Sequence, residues 1–89
     1  MKYVVLYQSA DDLATKVPAH YPAHRARVDD FHRRGDILMI GTFADPQSQG
    51  SMAIFASREA AEAFVSGDPF VLNGVVKSYE MREWNDILT

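Results

Sequence analysis

Two periodicities alternate along the chain. Residues 3–8, Tyr-Val-Val-Leu-Tyr-Gln, form a β-branched and aromatic run closed by the turn-forming Ser9, Asp11 and Asp12, which predicts a first strand. From about residue 19 to 34 the pattern lengthens: Tyr21, His24, Val28 and Phe31 recur at spacings of 3, 4 and 3, with Arg25, Arg27, Asp29, Asp30, Arg33 and Arg34 mostly on the other side. That is the pattern of an amphipathic helix. Pro18 and Pro22 fit its start better than its interior, because a first turn leaves its amides unbonded anyway, and Gly35 supplies the stop. Residues 36–43 predict a second strand, 44–50 a polar loop containing Pro46 and Gly50, and 51–56 the returning strand. Ser57 then caps a second helix, with Glu59 in its first turn and Ala60, Ala61, Phe64 and Val65 as its buried stripe, until Gly67 ends it. Asp68-Pro69 repeats the start signal for one further turn over residues 69–73, and residues 75–84 close the chain as a fourth strand.

The order β-α-β-β-α-β predicts an α+β, ferredoxin-like fold: a four-stranded antiparallel sheet with both helices on one face, built by residues 1–89 as one domain. In a monomer the other face should alternate to polar residues. Instead Tyr3 to Tyr7 and Ile37 to Ile40 are apolar on both parities, and Val75, Tyr79, Met81 and Trp84 cannot all point one way. An open apolar sheet face predicts a homodimer through that face, with further assembly left open. The plainer alternative is a few exposed strand aromatics.

Composition narrows the function. A chain of 89 residues buries only about 60–65% of its unfolded surface, so a partner helps its stability. With no cysteine, disulfides, thiolate metal sites and Cys nucleophiles drop out together. Nine basic against 12 acidic residues leave no electrostatic footprint for nucleic acid or anionic lipid. No run of apolar residues is long enough for a membrane span, and no secretion signal opens the sequence, so the expected address is the cytoplasm.

His20 and His24 share helical spacing but lack an HExxH glutamate and a third ligand, so no metal is expected; His32 reads as a cation at a helix end. His24 differs, because it lies in the apolar stripe and must find hydrogen-bond partners there. Spacing alone leaves it equally a packing residue and a functional imidazole. Asp68 reads first as the cap of the following turn. The glycines show no dinucleotide or P-loop spacing, Ser48 and Ser51 form no nucleophile elbow, and residues 50–56 lack the basic and aromatic residues of an RNA-stacking strand.

The chain resembles the YciI-like (YCII-related) family. The likeness is carried by Tyr3-Val-Val-Leu-Tyr7, Ala23-His24, Gly35-Asp-Ile-Leu-Met-Ile-Gly41, Glu59-Ala-Ala61, Asp68-Pro-Phe-Val-Leu-Asn-Gly74 and Arg82-Glu-Trp84, spanning nearly the whole chain. The resemblance implies subunits that pair sheet to sheet as a dimeric α/β barrel, and a pocket centred on a His-Asp pair, here His24 and Asp68. It also implies kinship with a dehydrochlorinase acting on chlorinated hydroxylated aromatics. Tyr21 stands where members often have arginine, Arg25 where they often have leucine, and Gly41-Thr42 where many read Gly-Pro.

The expected function is a cofactor-independent enzyme of lyase or isomerase type, with His24 as general acid/base, Asp68 orienting it, and a small oxygenated, aromatic-like substrate held by Tyr7, Met39, Phe43 and Phe70. The alternative is a non-catalytic dimer that binds a small molecule.

Overall fold

The structure, a computed structural model, describes residues 1–88. Its elements are β1 (Lys2–Ser9), α1 (Leu13–Arg33), β2 (Ile37–Thr42), α2 (Pro46–Gln49), β3 (Ser51–Phe55), α3 (Arg58–Gly67), α4 (Pro69–Leu72) and β4 (Val76–Trp84). The strands form one antiparallel sheet in the order β2-β3-β1-β4, the ferredoxin-like arrangement expected from the chain order.

Register decides which strand residues meet the helices. Val5 of β1 pairs with Ala53 and Met81, and Tyr3 pairs with Phe55. Val5, Ala53 and Phe55 are completely buried and cluster with Val28 and Phe31 of α1 and with Ala61, Phe64 and Val65 of α3. The rings of Phe31 and Phe55 both meet Phe64, the first edge-on at 5.2 Å and the second tilted at 5.5 Å. Arg27 of α1 ties the two helices together: its guanidinium donates to the Ala63 and Phe64 carbonyls at the C-terminal end of α3 and lies over the Phe31 ring. The opposite parity of the sheet carries Val4, Leu6, Met52, Ile54 and Trp84, and among the described residues no helix covers it.

Three expectations are corrected. First, α1 begins at Leu13, well before residue 19, so Pro18 and Pro22 lie inside the helix. Leu13 and Val17 extend the apolar stripe backwards at spacings of four, which drives the early start. Both prolines face solvent, where water can satisfy the carbonyls that their missing amides leave unbonded. Second, the loop over residues 44–50 contains the short helix α2, with Pro46 in its first turn. Third, the last strand begins at Val76; Val75 is buried and its carbonyl accepts from the Ala10 amide at 2.9 Å.

Ser57 performs its expected role, its side chain accepting from the Ala60 amide at 3.1 Å. Ser9 and Gln47 tie α2 to the β1–α1 junction: Ser9 Oγ donates to the Pro46 carbonyl, and Gln47 donates to the Ala10 carbonyl while accepting from the Leu13 amide. Gly50, which ends α2 with φ +78°, is pressed against the Tyr7 carbonyl, and a Cβ there would collide with it. Gly50→Ala should therefore lower stability by at least about 2 kcal/mol, read as a shift of the urea midpoint, whereas Gly35→Ala, also at positive φ but in open space, should cost less.

Candidate active site

Asp68 ends α3 and opens α4. Its backbone is extended (ψ 120°), as the following Pro69 requires, and its Oδ1 accepts from the Phe70 amide at 3.1 Å. A cap is ordinarily exposed, but Asp68 is only 1% exposed, and a carboxylate so enclosed needs further donors. The second donor is His24, whose Nδ1 lies 2.7 Å from the same Oδ1. An ionised carboxylate can only accept, so Nδ1 donates, and in the neutral imidazole Nε2 then carries the lone pair. Nε2 has no hydrogen-bond partner among the described residues, nor has Oδ2 of Asp68.

The ring of His24 is held on three sides. It stacks on Phe70 with centroids 3.8 Å apart and planes 4° from parallel, meets Phe64 edge-on, and lies 6.3 Å from the Tyr21 ring. Its side chain is 14% exposed, and both members of the pair line an open-mouthed cavity of about 310 Å³ between α1, α4 and the sheet. That volume falls at the small end of ligand sites.

Of the expected wall residues, Tyr7 and Phe70 line this cavity with His24 and Asp68. Met39 and Phe43 lie elsewhere, in a separate depression with Met52 and Ile54. A register shift between Ile37 and Met39 is the cause: beyond it Ile40, not Met39, pairs with Ala53 and turns toward the helices, while Met39 is 66% exposed. Ile40 accordingly lines the cavity. Arg25, assigned by its helical position to the outward side, also stands at the rim, bonded to Asp29 at 3.0 Å and to the Tyr21 hydroxyl at 3.4 Å. Its place directly after His24 was the available signal.

Tyr7 is 6% exposed, and its hydroxyl is a buried side-chain polar atom without a hydrogen-bond partner among the described residues. Burial first, then the charges of Asp68 and Tyr79, push this phenol well above the usual tyrosine range, so it remains a protonated donor. Among the described residues no group of three or more His, Asp or Glu side chains is gathered to hold a metal ion, and no helix is long and apolar enough to cross a membrane.

Comparison with known proteins agrees with this architecture. Residues 1–85 match the YCII-related domain. The chain belongs to the YCII-related family. It is 31% identical over 97 aligned positions to Protein YciI of Escherichia coli O6:H1, an alignment covering 98% of this chain and 99% of that relative. Protein YciI of Shigella flexneri matches to the same extent. Among solved structures, the fold is shared with 5-chloro-2-hydroxyhydroquinone dehydrochlorinase (TftG) from Burkholderia phenoliruptrix AC1100 in complex with 2,5-dihydroxybenzoquinone. The TM-score is 0.73 at 21% identity, over 96% of this chain and 94% of that one. Protein Atu4242 from Agrobacterium tumefaciens superposes with a TM-score of 0.58 at 8% identity, over 100% of this chain and 97% of that one. At these identities both structures speak for the fold alone.

Replacing His24 leaves the enclosed Asp68 carboxylate with one donor, and a charge stripped of a partner is costly. His24→Ala should lower stability by about 1–3 kcal/mol at neutral pH, and the loss should shrink when Asp68 is already Asn. Denaturant titration of the wild type, both single variants and the double variant measures that coupling.

Proposed function

We propose that this chain is a small enzyme in which His24 moves protons on a hydroxylated, ring-shaped substrate bound in the cavity. The observation that supports this most directly is the 2.7 Å bond from His24 Nδ1 to the enclosed Asp68, which leaves Nε2 as the free nitrogen of a residue lining an open cavity. A histidine held this way is a general base whose charged form is stabilised by the carboxylate behind it. Nε2 takes a proton from a substrate O–H or C–H. Returning it to another atom gives isomerisation, and losing a leaving group instead gives elimination. A cavity lined by Tyr7, Tyr21 and Phe70, with Phe70 stacked on the imidazole, suits a ring. The shared fold with a dehydrochlorinase whose structure holds 2,5-dihydroxybenzoquinone makes halogenated and hydroxylated rings the first substrates to try.

On chloro- and hydroxy-substituted hydroquinones, followed by chloride release and by quinone absorbance, the wild type should turn over. His24→Ala and Asp68→Asn should each fall by about 100-fold or more. Equal rates in all three proteins would remove the acid/base role. Thermal stabilisation by these compounds without turnover in the wild type would favour a non-catalytic binding module.

The uncovered face carrying Val4, Leu6, Met52 and Ile54 supports a homodimer formed sheet to sheet, since apolar sheet surface of this kind is costly to leave in water. Light scattering should return twice the monomer mass for the wild type, and the monomer mass for Leu6→Lys, which places a charge at the centre of that face. A monomeric wild type would reject this arrangement.

A further inference from the structure

We infer that the cavity of His24 and Asp68 is extended along α1 by a second, apolar chamber, and that the ligand is a hydroxylated ring carrying an alkyl side chain that fills it. This rests on the reading of the cavity as a site for hydroxylated rings and extends it by naming the substituent.

The first observation is continuity. Next to the His24–Asp68 cavity lies a smaller one of about 150 Å³, the space that a benzene-sized hydrocarbon takes in an apolar protein cavity. The two share Tyr21 of α1, Phe70 of α4, and Tyr7, Thr42, Ser51 and Val76 of the sheet. Along α1 they follow one another: Leu13, Val17 and Tyr21 line the smaller, and Tyr21, His24 and Val28 line the larger. These residues recur at spacings of four and three, so they share one helix face. Val17 stands about 6 Å along the helix from Tyr21 and about 10 Å from His24. The Tyr21 and Phe70 rings, 6.3 Å apart, belong to both cavities and mark where they meet.

The second observation is the chemistry of the walls. Gln8, Ser9, Leu13, Val17, Pro46 and Val75 line the smaller cavity and not the larger. The two polar side chains among them are engaged elsewhere: Ser9 Oγ donates to the Pro46 carbonyl at 2.6 Å, and Gln8 Oε1 accepts from Ser78 Oγ at 2.9 Å. What a ligand meets there is mainly the hydrocarbon of Leu13, Val17, Pro46 and Val75.

The third is that the core does not use this end of the helix. Val28 and Phe31 of α1 enter the hydrophobic core, whereas Leu13 and Val17 are only partly buried. Apolar side chains beside an unfilled cleft forgo the contacts that an alkyl group would supply. The cleft is also held open. The Ser9–Pro46 bond, the bonds of Gln47 to the Ala10 carbonyl and the Leu13 amide, and the bond from the Ala10 amide to the Val75 carbonyl fix its walls to one another. A chamber preformed in this way needs no rearrangement to accept a chain.

The test uses the full chain and three probes, hydroquinone, propylhydroquinone and pentylhydroquinone, titrated by NMR into the wild type, Val17→Phe and Val17→Ala. Each methylene that leaves water should tighten binding about 3-fold to 4-fold, so the wild type should bind propylhydroquinone at least about 10-fold more tightly than hydroquinone. The His24 ring resonances should shift with all three probes, and the Val17 and Val75 methyl resonances most with the alkylated two. Val17→Phe places a ring in the chamber and should bring the propyl-to-hydroquinone ratio close to one. Val17→Ala enlarges the chamber and should raise the preference for pentyl over propyl. A ratio close to one in the wild type, or a ratio that neither Val17 substitution alters, overturns the chamber; hydroquinone that still shifts the His24 resonances would then leave the cavity reading standing. If no probe shifts the His24 resonances, the cavity reading falls and takes the chamber with it.

Discussion

A carboxylate that is 1% exposed has to be held by donors, and in this chain the donors come from two elements far apart in sequence. The Phe70 amide belongs to the turn that Asp68 itself caps, and the His24 imidazole belongs to α1. One oxygen thus joins the long helix to the junction of α3 and α4, and it fixes the tautomer of the histidine at the same time. The stacked Phe70 ring follows from the same geometry: the residue whose amide binds Asp68 is also the one whose side chain lies 3.8 Å from the imidazole. A short polar turn and its proline therefore do three things together. They end one helix, start another, and orient the imidazole.

Much of this was written in local chemistry. Ser57 and Asp68-Pro69 announce helix starts because caps depend only on neighbouring residues, and both act as caps here. The strands were legible because sheet periodicity survives as a run of β-branched and aromatic residues. That His24 and Asp68 meet was not derivable from spacing, since 44 residues separate them and only the helix-over-sheet packing closes the distance; the family resemblance named the pair before any geometry did.

What stayed hidden was non-local or depended on a single irregularity. The prolines at 18 and 22 argue against a helix interior by their own chemistry, yet they stand on the solvent side of α1, where the loss of an amide costs least, while Leu13 and Val17 pull the apolar stripe on toward the sheet. The shift between Ile37 and Met39 is subtler. One extra residue exchanges the two faces of everything beyond it, so Ile40 takes the place toward the helices that simple alternation gives to Met39. No residue in that stretch is a turn former, and the pattern Ile-Leu-Met-Ile is apolar in either register.

The polar groups around the cavity differ in how far water reaches them. At the rim is Arg25, 60% exposed at its side chain, a charge that water and salt weaken strongly and that can attract a ligand more readily than hold one. The Tyr21 hydroxyl is bonded to the Arg25 guanidinium, which holds this cation at the mouth beside His24. The His24 side chain is 14% exposed. The Tyr7 hydroxyl is shut off from solvent. Electrostatic attraction is least selective where it is most screened, and hydrogen bonding is most selective where water is excluded. A chain that exposes its cation and encloses its His24–Asp68 bond keeps the screened charge at the rim and the strong hydrogen bond where water is largely excluded.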